Sequence, residues 1–363
     1  MEERDLVQRR SKAIRILTWT GERWSGFFLI LLLVVFGLVG RHFFAVKNFS
    51  NILYYATIYL LLAGGETFVI ITGGIDLSVG FVMGLVMVVT AIVMRDLHAA
   101  GLPPAVSMLS GSVAGLVIGV LPGLINGFLV ARLRVPPFIA TLGMYGVANG
   151  ITLNLCQGFP IYYLPPQVQQ IGNLFVAFFL PARGFTFFRR PPDMTTDDIR
   201  SVVGIVPVTV LVAAILLVVF GFVLVRTRFG RHTFAIGGNL DAAIRSGINV
   251  PRHLVKVYVL SSMFAAVGGV LYTFRAGIGH FTTLSSSYEL FAIAAVVIGG
   301  ASLMGGRGSI GGTVIGVLIL NVLENGLNIA GLPAFYRYIA TGLILIAAVV
   351  IDQLTPERRP SGA

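Results

Sequence analysis

Ten apolar runs recur along the chain, beginning near Ser25, Asn51, Ser78, Pro104, Phe138, Ile205, Leu254, Glu289, Gly311 and Ala334. Each is long enough, allowing for tilt and glycine breaks, to cross a hydrocarbon core about 30 Å thick. Charged residues make up only 11% of the 363 residues, far below the roughly 25% of soluble domains. The expected fold class is therefore an all-α integral membrane protein with about ten transmembrane helices.

Orientation follows from where the cations fall. With the N-terminus inside, Arg4, Arg9, Arg10, Lys12, Arg15 and Arg23 and the alternate connections collect 17 of the 26 Lys and Arg on the inner side. That asymmetry favours both termini in the cytoplasm. A net charge of +11 would suggest nucleic acid in a soluble chain, but here the charges flank spans and no base-reading motif accompanies them. Residues 27–40 are followed by Arg41-His42-Phe43-Phe44 rather than a small-residue cleavage site, so they read as a retained first span. The single cysteine, Cys156, reads as a packing residue.

This gives an N-terminal tail at 1–24, a membrane domain at 25–352 and a C-terminal tail at 353–363. The longest external connection, 159–204, carries Pro165-Pro166, an apolar patch at 174–180, and Arg189-Arg190 ahead of Asp193, Asp197 and Asp198. The patch is too short to span; it reads either as a docking surface or as an aromatic segment at the headgroups. The largest internal connection, 226–253, is too short for a core of its own. No lysine completes a P-loop, whose backbone amides and lysine hold phosphates, so ATP chemistry would have to come from another protein. The five histidines show no metal-ligand spacing, and neither a metal site nor a catalytic site is expected.

Within the internal connection, Gly237-Gly238-Asn239 and Gly247 delimit a short helix: Asn239 can cap its start and Gly247 can end it in the left-handed conformation. Leu240, Ala243 and Ile244 share one face, while Asp241 and Arg245 can pair along another. Two turns are marginal alone in water. The helix either inserts into a partner's groove or lies on this protein's own inner surface.

Polar groups inside the spans are the other departure. Asp76 lies between glycines in Gly73-Gly74-Ile75-Asp76-Leu77-Ser78-Val79-Gly80, where it can line a pathway, cap the third span through the amides of Ser78 and Val79, or do both. Residues 299–306 echo that block weakly as Gly-Gly-x-[Asp/Ser]-Leu-x-x-Gly. Asn126, Asn149, Asn154, Gln157, Tyr288, Glu289, Asn321, Glu324 and Asn325 also fall in or beside apolar runs. The alternative for each is interhelical hydrogen bonding at about 0.6 kcal/mol per contact. Gly111-x-x-x-Gly115-x-x-x-Gly119 reads as a close helix contact.

Thr227 to Arg231, Ala235 to Asn239, Asp241 to Ala243 and Arg245 to Val250 resemble the cytoplasmic loop of ribose, xylose and galactose type permeases of bacterial ABC importers. Thr72 to Gly80, Leu124 to Gly127, Arg134 to Gly143, Tyr288 to Leu290, Ala294 to Ser309, Asn325 to Asn328 and Asp352 continue the likeness in the family's order. The resemblance implies a multi-pass subunit of the bacterial inner membrane, related in fold to the vitamin B12 type importers and pairing with a second permease copy or paralogue. It also implies an extracytoplasmic sugar-binding protein and a separate ABC ATP-binding subunit that uses ATP and magnesium, with no cofactor on this chain. Coupling to the ATPase falls on Gly237, Gly238, Asn239, Asp241, Ala242, Arg245 and Gly247. A sugar route needs amides, hydroxyls and carboxylates, which selects Asp76, Ser78, Asn126, Asn149, Glu289, Asn321 and Asn325. Glu66 and Glu324 depart from the family pattern, as does the length of 159–204. Nucleosides or branched-chain amino acids remain as other cargoes, and a proton-coupled carrier using Glu66, Asp76, Glu289 or Glu324 as another class.

Overall fold

The computed structural model describes residues 24–181, 184–187, 201–281 and 287–354. The N-terminal cations, Arg183, Arg189, Arg190, Asp193, Asp197, Asp198, Arg200 and residues 355–363 of the C-terminal tail lie outside the described residues, while the first two residues of that tail continue the last helix. In chain order the helices are α1 (Trp24–Val39), α2 (Val46–Ile71), α3 (Val79–Ala99), α4 (Pro104–Ala131), α5 (Pro137–Cys156) and α6 (Pro166–Gly172). Strands β1 (Ala177–Leu180), β2 (Gly184–Phe187) and β3 (Val203–Gly204) follow. Next come α7 (Val208–Arg226), α8 (Arg228–Gly238), α9 (Leu240–Arg245), α10 (Val250–Ala276), α11 (Tyr288–Ile298), α12 (Ile310–Ile329) and α13 (Ala334–Leu354).

Each of the ten expected segments contains a helix. Among the described residues, seven of these helices, α2, α3, α4, α5, α7, α10 and α12, are long and apolar enough to cross a membrane. Two others are shorter: α1, and α11 with 11 residues. At about 1.5 Å per residue α11 extends only about 16 Å, half of a hydrocarbon core.

α2 forms the centre, with 83% of its apolar window buried against 28% for α5 and α7. The large apolar side chains left outside, such as Leu142, Ile151, Val218 and Phe222, give these peripheral helices faces suited to lipid. α4 runs against α3 and α10 through a ridge of small residues. Gly111 and Gly115 meet Thr90, Gly119 meets Ala266, Gly123 meets the carbonyl of Tyr258, and Gly127 meets the backbone of Val255. The small-residue spacing expected at 111–119 thus continues for two further turns, letting backbones approach where larger side chains would hold them apart.

The connection 159–204 is not purely helical. β1 pairs antiparallel with β2 (Phe178 opposite Thr186) and with β3 (Phe179 opposite Val203). The apolar patch at 174–180 is therefore largely a strand, with Leu180 fully buried. The connection is fastened to the end of α10: Asn173 Nδ2 donates to the Arg275 carbonyl at 3.0 Å, and Ile161 and Gly279 exchange backbone hydrogen bonds of 2.8 and 2.9 Å. Cys156 is buried beside Val88, Ala91 and Ile161, a packing position as expected.

Candidate functional site

Between α2 and α3 the chain leaves the helix at Gly73, whose φ of +82° suits a residue without a Cβ. Residues 74–78 turn back along α2, and the backbone N–H of Asp76 donates to Glu66 Oε1 at 3.0 Å. Both carboxyl side chains are fully buried. Asp76 Oδ1 accepts from the Ser78 amide at 3.0 Å and from Ser78 Oγ at 2.5 Å, while Oδ2 accepts from Ser261 Oγ at 3.1 Å. Asn126 Nδ2 donates to Ser78 Oγ at 3.0 Å. Thr141 Oγ1 donates to the Ile75 carbonyl at 3.1 Å.

Four helices, α2, α4, α5 and α10, thereby converge on one broken segment at the start of α3. The N-cap position of α3 belongs to Ser78, so Asp76 does not cap the helix as expected: it shapes the turn ahead of it and takes the Ser78 amide but not that of Val79. Asn126 Oδ1, Glu66 Oε2 and the Tyr258 hydroxyl are buried without partners, and a Cβ at Gly74 would meet that hydroxyl at 2.6 Å. An unpaired buried polar atom costs about 1–3 kcal/mol, and three of them lie together around this turn.

Glu289, in the first turn of α11, reaches the start of α3 from the other side: a Cβ at Gly80 would collide with Glu289 Oε2. Two helix N-termini thus begin inside the bundle beside carboxylates, the arrangement by which broken helices present polar groups at mid-depth.

Above α11, at the end of the bundle far from α8 and α9, lies a cavity of about 530 Å³. Asn321 and Asn325 line it, together with Tyr54, Tyr288, Glu324 and Arg275. Asn325 and Asn48 exchange hydrogen bonds of 2.8 and 2.9 Å. The Arg275 guanidinium lies over the Tyr54 ring and donates to the Tyr54 carbonyl at 3.0 Å. Of the expected pathway residues, Asp76, Ser78 and Asn126 form the inner network, Glu289 abuts it, and Asn321 and Asn325 line this cavity. Asn149 joins neither group; its Oδ1 is buried without a partner on α5. Ser261, Thr141, Tyr54 and Arg275 were not anticipated, because their partners lie 66 to 221 residues away in sequence.

At the opposite end, the short helix is α9. Asn239 Oδ1 accepts from the Ala242 amide at 2.9 Å, and Gly247 has φ +79°, so both delimiters act as their chemistry dictates. Ala243 is buried against Ile236 and Val250, whereas Leu240 (49%) and Ile244 (55%) are exposed. Among the described residues no ion pair joins Asp241 to Arg245; both are exposed, where pairing contributes little. α9 is preceded by α8, a helix with an apolar face toward α7 and α10 that occupies much of the connection expected at 226–253.

α8 ends against the broken segments themselves. A Cβ at Gly237 would strike the Ile71 carbonyl and the Gly306 nitrogen, and Gly305 presses on Gly73 and Gly237. The Gly306 amide donates to the Ile71 carbonyl at 2.8 Å. The two blocks that echo one another in sequence therefore meet beneath α8.

The chain matches the family model described as branched-chain amino acid transport system / permease component over residues 48–349. It is 38% identical to the ribose import permease protein of Bacillus subtilis (strain 168) over 325 residues, 90% of each chain. It is also 34% identical to the D-allose transport system permease protein of Escherichia coli (strain K12), covering 92% of each. Against the xylose transport system permease protein of the same organism the identity is 35%, covering 87% of each. No solved structure gives a significant match. With a family match across most of its length and relatives above one-third identity, this multi-pass membrane protein belongs to the family of transport-system permease components.

Proposed function

We propose that this chain is the membrane permease subunit of an ATP-driven, binding-protein-dependent importer of a monosaccharide. The observation that carries this reading is the contact of the end of α8, which leads directly into α9, with the two broken segments, one of which holds Asp76. A partner pressing on exposed Leu240 and Ile244 would push, through the Gly237 backbone, on Ile71 and Gly306 and so on the turn that carries the polar network. Packed backbone has discrete arrangements rather than continuous give, so a small push is transmitted.

The names of the relatives, importers of ribose, allose and xylose, support the sugar class over nucleosides or branched-chain amino acids. In this reading ten passages cross the inner membrane, with α1, α11 and α13 added to the seven long helices and both termini cytoplasmic, in a fold like that of the vitamin B12 type importers. α8 and α9, with Gly237, Gly238, Asn239, Asp241, Ala242, Arg245 and Gly247, dock a separate ATPase that uses ATP and magnesium. The far end, including 159–204, receives the binding protein, and a second permease copy or paralogue completes the pathway. Asp76, Ser78, Asn126, Glu289, Asn321 and Asn325 line that pathway.

Proteoliposomes holding the permease, its ATPase, its binding protein and internal ATP test the reading. Sugar uptake that needs all of these supports it. Uptake by the permease alone under a proton gradient, lost in Glu66→Gln, would replace it with a proton-coupled carrier.

A further inference from the structure

The cavity at the far end differs from a featureless vestibule in how its polar groups are held. Arg275 is fixed at both ends: its guanidinium by the ring and carbonyl of Tyr54, its own carbonyl by Asn173. Asn325 is fixed by its reciprocal bonds with Asn48. The floor is an aromatic stack, with Tyr59 at 5.2 Å from both Tyr288 and Phe291. Groups held in advance of a ligand lower the ordering cost of binding, and a few fixed polar groups among aromatic walls in a space of about 300–1,000 Å³ are the usual make-up of a small-molecule site.

The lining also selects a ligand class. It offers one guanidinium, Arg275, and one carboxyl, Glu324, with carboxamides from Asn321, Asn325 and Asn328. A cation would meet Arg275 and an anion Glu324, whereas a neutral molecule rich in groups that both donate and accept uses all five. We propose that this cavity is a sugar-binding site of the permease itself, a station between the binding protein and the inner Asp76 network, in which Arg275 and Glu324 contact opposite sides of one sugar. This rests on the importer reading above and adds to it a defined stop within the permease.

The test uses the whole importer in proteoliposomes without ATP. Cys156→Ala removes the native thiol and Asn328→Cys places a reporter on the cavity rim, with Tyr338→Cys on the facing helix as a second reporter. The rate of thiol labelling is followed with D-ribose, D-xylose, D-allose or L-leucine. At least one sugar is expected to slow labelling about five-fold in a saturable way, leucine to leave it unchanged, and Glu324→Gln to raise the half-protecting sugar concentration at least ten-fold. If no sugar protects either reporter while the same vesicles import sugar with ATP, the cavity is not a site and the importer reading stands. Protection by leucine alone overturns the sugar assignment. If none of the sugars is imported when ATP is supplied, the importer reading fails and this site with it.

Discussion

The Asp76 backbone amide donates to the Glu66 side chain at 3.0 Å, so the turn carrying one buried carboxyl is tied by its main chain to another. Three hydrogens then converge on the Asp76 oxygens, from the Ser78 amide, Ser78 Oγ and Ser261 Oγ. Asp76→Ala would strand them inside the bundle at about 1–3 kcal/mol per unsatisfied group. We expect Asp76→Ala to lower the thermal midpoint of the detergent-solubilised protein by several degrees and to abolish transport. Asp76→Asn keeps one acceptor oxygen and should unfold closer to wild type. Equal midpoints for all three proteins would mean that Asp76 does not organise this turn.

Gly237 separates assembly from transmission. Gly237→Ala places a methyl group against the Ile71 carbonyl and the Gly306 amide, forcing α8 away from the broken segments. Membrane insertion and ATPase binding should survive, while ATP-dependent uptake drops at least ten-fold with hydrolysis continuing. Unchanged uptake per ATP hydrolysed would show that force does not pass through this contact.

Leu240 and Ile244 point outward from a helix whose only buried residue is Ala243. Replacing both by Glu removes apolar surface without touching the core, so the stability of the permease should stay within about 0.5 kcal/mol of wild type, as for other surface changes. Co-purification with the ATPase should be lost. Retained association would place the docking surface elsewhere.

The ridge on α4 gives a matched pair of substitutions. Gly127→Leu drives a side chain into the Val255 backbone, whereas Gly143 on α5 has nothing within 4 Å of its Cβ position. Overpacking costs about 1–3 kcal/mol or more when backbone must move. Thermal unfolding should show Gly127→Leu strongly destabilised and Gly143→Leu near wild type, and similar midpoints would contradict the close approach of α4 to α10.

What could be read from the chain was local or periodic. Asn239 and Gly247 bracket α9 because capping and left-handed backbone are decided within a few residues. The span starts lie close to the helix starts because hydropathy sets them. What could not be read was pairing at a distance. Ser261 meets Asp76 across 185 residues and Arg275 meets Tyr54 across 221, and nothing in the local sequence of a Ser or an Arg names its partner. The sheet was missed for a related reason: β1 and β2 are four residues each, and apolar runs that short carry no period that separates strand from loop. Asn149 resembles Asn126 as an isolated carboxamide in an apolar helix, but α5 meets the broken segment at Thr141, and Asn149 lies about 12 Å further along that helix.

The shortness of α11 has an electrical consequence. In the membrane placement proposed above, with water filling the cavity that α11 stands beneath, the potential would fall over the roughly 16 Å of this helix, about half the usual thickness, and the local field would be about twice that across a full bilayer. An elementary charge moved across 100 mV gains or loses about 2.3 kcal/mol, and here that work would be done along α11, whose first turn carries Glu289. A neutral cargo crosses such a septum without regard to voltage, whereas a stray proton or sodium ion is driven hard across it.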